Sequence, residues 1–141
     1  MTTVMVSGKF DLVHEGHVAH LMQAYHMGDH LYIVTHSDEV VAKCSKSKIC
    51  AVPLWSRVFI LRSILGMLGG KGEVVVSDNK EGLSTDELLR LRPDIFAKGG
   101  DRTSTNMPAE EIEACKKICC RIVYGVGKQL NESSELKKLL L

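Results

Sequence analysis

The sequence predicts a single α/β domain built on a five-stranded parallel sheet with helices on both faces. Its 141 residues suit one domain with one core, and a content of 45% hydrophobic and 25% charged residues is typical of a globular chain. Apolar segments of strand length alternate with segments of helical periodicity, which is the pattern of parallel strands joined by helical crossovers. Glycine-rich, charged loops follow the first and the fourth of these strands. We therefore expect residues 1–141 to form one domain.

Two strands and three helices are predicted in the first half of the chain. In order, they are a strand at Thr3–Val6, a helix at Gly16–Met27, a strand at His30–Thr35, a short helix at Asp38–Ala42 and a helix at Pro53–Leu68. Ser37 is a typical N-cap residue for the short helix, and Pro53 suits the first turn of the helix that follows. Gly28 offers a left-handed C-cap for the first helix.

The second half of the chain is predicted to complete the sheet. Its elements are a strand at Val74–Val76, a helix opened by the capping box Ser84–Glu87 and ended before Pro93, a strand at Ile95–Ala97, a helix at Pro108–Lys117, a strand at Arg121–Tyr124 and a helix beginning near Ser133. Right-handed crossovers favour the strand order 3-2-1-4-5, a Rossmann-like arrangement. In that order the chain reverses between the first and the fourth strands, and ligands bind beyond the carboxyl ends of the strands there.

Charge, hydropathy and cysteine content exclude several classes of protein. The formal net charge of +1 provides no overall field for nucleic acid or an anionic membrane. The most apolar stretch is interrupted by Arg62 and is shorter than the ~20 residues of a membrane span, and no secretory signal is recognisable. The five cysteines lack paired CxxC spacing, which favours reduced thiols. We expect a cytoplasmic protein that binds neither nucleic acid nor membranes.

The strongest functional signal lies in residues 8–17, which read GKFDLVHEGH. A glycine directly after a buried strand lets backbone N–H groups approach a phosphate, and the following helix N-terminus favours an anion. His14 and His17 lie at that terminus, where they are either phosphate ligands or ordinary surface histidines. Their spacing is one residue shorter than the HExxH spacing of zinc proteases, so no metal ligands are predicted.

Residues 8–17 resemble the GxFDxxHxGH signature of the cytidylyltransferase-like nucleotidyltransferases. Residues 27–43 are similar to the same region of phosphoethanolamine and phosphocholine cytidylyltransferases, and Pro53-Leu54 with Arg57 resembles the P-L-x-x-R helix start of the family. Residues 98–101, KGGD, are similar to a motif of heptose-1-phosphate adenylyltransferases. The resemblance extends from about Val4 to Leu136 and also includes glycerol-3-phosphate cytidylyltransferases.

The resemblance implies transfer of a nucleotidyl group from a nucleoside triphosphate to a phosphorylated acceptor, with release of pyrophosphate. An acceptor phosphate is already ionised at neutral pH, so the reaction needs positioning and charge neutralisation rather than a general base. Mg²⁺ is expected with the triphosphate. The first half of the chain favours CTP and the KGGD motif favours ATP; the acceptor is a small phosphorylated alcohol or a sugar phosphate. A homodimer is also implied.

The same resemblance assigns roles to individual residues. The predicted catalytic residues, which stabilise charge on the phosphates, are His14, His17 and Lys46. The predicted nucleotide-binding residues are Gly8, Lys9, Phe10, Gly99, Gly100, Asp101, Lys128, Ser133 and Ser134. The predicted acceptor-binding residues are Asp11, Asp38, Lys43 and Arg57. For Asp11, holding the loop and helping to place the acceptor and the metal are both open, and a solvated surface loop is the alternative for Lys43 and Lys46.

The last motif of the family is degraded in this chain. It lacks the usual arginine, for which Lys128 is a possible substitute, and Glu132 stands where the first hydroxyl residue would fall. Two alternatives to cytidylyl transfer stay open: adenylyl transfer to a sugar 1-phosphate, which the KGGD motif favours, and a nucleotide-binding regulatory module with weak catalysis, which the degraded motif favours.

Overall fold

The computed structural model describes residues 1–100 and 102–127, which form ten helices and strands. In chain order these are β1 (Thr3–Ser7), α1 (Glu15–Tyr25), β2 (His30–His36), α2 (Asp38–Cys44), α3 (Leu54–Leu68), β3 (Gly72–Ser77), α4 (Thr85–Leu91), β4 (Ile95–Ala97), α5 (Ala109–Lys117) and β5 (Arg121–Val123). All neighbouring strands are parallel, in the order β3-β2-β1-β4-β5. The predicted fold class and strand order are confirmed.

Apolar residues cover both faces of the sheet because helices pack on both. On one face Val4 and Val6 of β1 pack with Leu21 of α1 and Leu61 of α3. On the other face Met5 of β1 packs with residues of α4 and α5. Successive side chains of a strand point to opposite faces, so an uninterrupted apolar run is what a doubly covered strand requires. This packing fixes the carboxyl ends of β1 and β4 side by side.

Two local predictions are wrong. Ser84 is the N-cap of α4, but its side chain makes no capping hydrogen bond; its backbone N–H instead donates to Oε2 of Glu111 at 3.0 Å. Gly28 does not form a left-handed cap, since α1 ends earlier, with His26 as its C-cap in right-handed conformation. Gly28 serves close approach: a Cβ there would lie 2.7 Å from the backbone oxygen of Thr2.

None of the helices in the described part of the chain combines the length and the apolar character that a membrane crossing requires.

Candidate active site

An open cleft of about 770 Å³ lies at the carboxyl edge of the sheet, over the ends of β1 and β4. The loop after β1, the start of α1 and the loop after β4 form much of its wall. Eight of the predicted site residues line it: Gly8, Lys9, Phe10, Asp11, His14, His17, Gly99 and Gly100. The structure therefore brings together the two glycine-containing loops that the strand order predicts to meet.

His14 and His17 cap the N-terminus of α1 with their own side chains. The backbone N–H of Gly16 donates to Nδ1 of His14 at 3.0 Å, and the backbone N–H of His14 donates to Nδ1 of His17 at 3.2 Å. The two ring centroids lie 4.1 Å apart. Because each Nδ1 accepts a hydrogen bond, each neutral ring carries its proton on Nε2. The reciprocal caps thus prepare two Nε2–H donors on the cleft wall.

Burial keeps His17 in this neutral form. Desolvation lowers the pKa of the His17 imidazole, and the nearby His14 and His20 rings lower it further. The ring of Phe10 packs against His17 with centroids 5.6 Å apart and supplies part of that burial. In the free protein His17 is therefore a hydrogen-bond donor at Nε2 rather than a fixed positive charge.

The loop after β1 has a strained but well-anchored backbone. Phe10 is buried with φ 50°, a left-handed conformation that is uncommon for a residue with a side chain. The N–H of Gly8 donates to the carbonyl of Val34 at 3.0 Å, and the carbonyl of Lys9 accepts from Oγ1 of Thr35 at 3.1 Å. The predicted phosphate contact through the Gly8 N–H is not available in this structure, because β2 already uses that donor.

Asp11 holds the loop that precedes α3. Its Oδ2 accepts from the N–H of Ala51 at 3.0 Å and its Oδ1 from the N–H of Val52 at 2.8 Å. The hydrogen bond from Ala51 is the largest cause of the lowered pKa of the Asp11 carboxyl. Burial, the second-largest effect, raises this pKa, and the hydrogen bonds from Val52 and the Cys50 thiol lower it further. Of the two roles that the sequence leaves open for Asp11, the geometry supports holding the loop.

Arg57 lies beneath the cleft wall and does not reach its surface. Its side chain has no exposed area, and its guanidinium donates to five acceptors within the chain. One of them is Oδ1 of Asp38 at 2.8 Å, in an ion pair whose acidic partner is half exposed. Direct binding of an acceptor by Arg57 is therefore wrong for this structure, because no donor surface is left for a ligand. Asp38 also lies outside the cleft wall, with one oxygen committed to this pair.

Lys43 and Lys46, which are predicted to contact substrate phosphates, do not line the cleft. Lys43 belongs to α2, and its Nζ lies 3.3 Å from Oε2 of Glu81, which is on the cleft wall. Lys46 is exposed and does not line the cleft. In this structure neither lysine lines the cleft, so a contact of Lys43 or Lys46 with a substrate stays a prediction.

His20 lies on α1 one turn after His17 and was not predicted from the sequence as a site residue. It contacts the loop after β4 and the segment after β5. Its Nδ1 lies 3.0 Å from the carbonyl oxygen of Val126. A Cβ at Gly99 would lie 2.7 Å from that Nδ1, and a Cβ at Gly127 would lie 2.6 Å from the His20 backbone. The glycines of both loops therefore allow close packing against His20, and burial lowers the pKa of its ring. The three-residue spacing from His17 was the available signal.

Four of the predicted nucleotide-binding residues lie outside the described part of the chain: Asp101, Lys128, Ser133 and Ser134. The same is true of Glu132 and of the helix predicted near Ser133. Among residues 1–100 and 102–127, no three His, Cys, Asp or Glu side chains are grouped so as to hold a metal ion.

Comparison with known proteins gives three findings. A family model described as cytidylyltransferase-like matches residues 5–134. Curated relatives include the bifunctional protein HldE of Streptomyces coelicolor, 35% identical over 108 residues that cover 76% of this chain and 22% of that protein. Another is FAD synthase of Pyrococcus horikoshii, 35% identical over 99 residues that cover 70% of this chain and 63% of that protein. The chain thus spans less than two thirds of either relative.

One solved structure is similar to this chain over most of its length. The lipopolysaccharide core biosynthesis protein from Thermoplasma volcanium is 26% identical, with a TM-score of 0.66 over 88% of this chain and 95% of that one.

Proposed function

This chain belongs to the cytidylyltransferase-like family, and from that premise we propose that it transfers a nucleoside monophosphate from a nucleoside triphosphate to a phosphorylated acceptor. CMP from CTP is the favoured group, with a small phosphorylated alcohol or a sugar phosphate as the acceptor. The alternative is AMP from ATP, which the KGGD motif and the FAD synthase relative support, since FAD contains an adenine nucleotide.

The observation that carries the proposal is the capped histidine pair at the start of α1. His14 and His17 are held by each other and by backbone N–H groups, and both line the cleft. An oxygen of the acceptor phosphate attacks the α-phosphorus, the bond from that phosphorus to the bridging oxygen breaks, and pyrophosphate leaves with the electron pair. The two Nε2–H groups stabilise the negative charge that grows on the bridging and leaving oxygens.

Mg²⁺ fits this cleft as the counter-ion of the triphosphate rather than as a resident metal. Asp11, the acidic residue of the loop after β1, uses both oxygens for backbone N–H groups. Mg²⁺ prefers phosphate oxygens and water and needs few protein ligands. Bound in that way, the ion supplies charge neutralisation of the phosphates.

A pyrophosphate-release assay tests the proposal. Each of the four nucleoside triphosphates is combined with glycerol 3-phosphate, phosphoethanolamine, a heptose 1-phosphate or flavin mononucleotide, the phosphorylated half of FAD. We expect acceptor-dependent release with CTP or ATP, and its loss in His14→Asn and His17→Asn, while His26→Asn is the control because His26 is exposed at the opposite end of α1 and does not line the cleft. Nucleotide binding without any release would support the regulatory module instead.

A further inference from the structure

Lys98 is a buried cation on the cleft wall that has only loose partners. Its side chain is 10% exposed, and its Nζ lies 3.5 Å from Oγ of Ser7 and 4.0 Å from Oε1 of Glu111. The ring of Phe96 lies below it, 4.5 Å from Nζ to the centroid. A buried ammonium is costly unless short hydrogen bonds replace its water, and none of these contacts is short. The ammonium of Lys98 therefore retains hydrogen-bonding capacity on the cleft wall.

Within the described part of the chain, the carboxylate of Glu111 also lacks a hydrogen-bond partner for one of its oxygens. Its side chain is 5% exposed, Oε2 accepts from the N–H of Ser84 at 3.0 Å, and Oε1 has no hydrogen-bond partner among the described residues. The ion pair with Lys98 thus lacks the close geometry that compensates two buried charges. Both side chains line the cleft, so a bound ligand can form the hydrogen bonds that either of them lacks.

Two backbone hydrogen bonds hold Lys98 in position at the end of β4. The N–H of Lys98 donates to the carbonyl of Val123 at 2.7 Å, and its carbonyl accepts from the N–H of Val126 at 3.0 Å. Ser7 ends β1 and Lys98 follows β4, so Nζ lies at the junction where the strand order reverses. Burial lowers the pKa of the Lys98 ammonium more than Glu111 raises it, which indicates incomplete compensation.

We propose that Lys98 binds a phosphate group in the cleft and that Glu111 holds the ammonium in place until that phosphate arrives. This inference rests on the proposed function, whose substrates both carry phosphate. The Glu111 carboxylate then acts against binding in two ways: it attracts the ammonium away from the phosphate and repels the phosphate itself. Removal of its charge, with its shape kept, should therefore strengthen phosphate binding.

The test is calorimetric titration of ATP, CTP, pyrophosphate and glycerol 3-phosphate into four variants of the chain. Lys98→Met should weaken binding at least tenfold, whereas Glu111→Gln should tighten it severalfold because glutamine still accepts from Ser84. The double variant should bind more weakly than Glu111→Gln but somewhat more tightly than Lys98→Met, since the repulsion between Glu111 and the phosphate does not require the ammonium. Lys116→Met is the matched control, because Lys116 is exposed on the last turn of α5.

The pattern of effects identifies the phosphate. Changes confined to ATP, CTP and pyrophosphate place Lys98 on the nucleotide, and changes confined to glycerol 3-phosphate place it on the acceptor. Equal binding by wild type and Lys98→Met would overturn the inference, as would the absence of binding by all four ligands. If Lys98→Met does not fold, unchanged or weaker binding by Glu111→Gln overturns it. Tight binding that follows the predicted pattern without pyrophosphate release would refute the proposed function alone.

Discussion

Replacement of Arg57 by alanine should lower the free energy of unfolding by about 3–5 kcal/mol, the usual cost of breaking a buried charged network. The guanidinium donates to the carbonyls of Val52, Lys9 and His36 at 2.8–3.0 Å, and to side-chain oxygens of Thr35 and Asp38 at 2.8 Å. Each such bond contributes about 1 kcal/mol net, and alanine removes a donor from every one of these acceptors, although the carbonyl of Lys9 keeps the hydroxyl of Thr35. Asp38 is half exposed, so water recovers part of its share.

Urea unfolding followed by circular dichroism measures this loss as a shift of the midpoint at unchanged slope. Arg57→Lys should recover only part of it, because an ammonium cannot reproduce the planar arrangement of donors on Nε, Nη1 and Nη2. The same variants distinguish the two roles considered for Arg57. A loss of stability below about 1 kcal/mol, combined with a raised KM for the acceptor, would refute the structural reasoning and restore the acceptor-binding role.

Three further predictions concern the cleft. His14→Ala and His17→Ala should each lower kcat by about 10² or more, measured by pyrophosphate release, with little change in nucleotide affinity, because their donors act mainly on charge in the transition state. The lowered pKa of His17 means that the unfolded chain takes up a proton first as the pH falls below 6.5. Stability measured by urea unfolding should therefore fall from pH 7.5 towards pH 5.5, and it should fall less steeply in His17→Gln. Gly127→Ala should lower the melting temperature more than Gly100→Ala, since both have positive φ but only the former brings a Cβ within 2.6 Å of backbone.

The fold could be predicted because its signal is local and repeated. Every strand is an apolar run with turn residues on each side, and the order of five parallel strands follows from right-handed crossovers. The same reasoning placed the loops after β1 and β4 together at the cleft. Position in the sheet thus follows from pattern alone.

Side-chain roles could not be predicted in the same way, because distant residues decide them. The S-x-x-E pattern at Ser84 is a typical capping box, yet Glu111, 27 residues later, takes the Ser84 N–H. The actual capping box is formed by His14 and His17, which are not typical N-cap residues. The bond from Arg57 to the carbonyl of Lys9 spans 48 residues of sequence. The motifs therefore predicted several residues that line the cleft but not the hydrogen bonds that their atoms make.

The capped histidine pair also determines how the cleft can respond to charge. A second proton on the His17 ring would go to Nδ1, which accepts the N–H of His14, so charging that ring breaks the cap at a cost of roughly 1 kcal/mol. A bound polyphosphate favours the charged form, and the caps oppose it. A neutral Nε2–H needs no such exchange and forms a stronger hydrogen bond as negative charge grows on its partner. Lys98 supplies a buried cation on the cleft wall, whereas the lowered pKa of His17 keeps that ring from adding a fixed charge. We therefore predict that the Nε2–H of His17 stabilises the transition state more than the bound substrate, which is the condition for raising kcat rather than for tighter substrate binding.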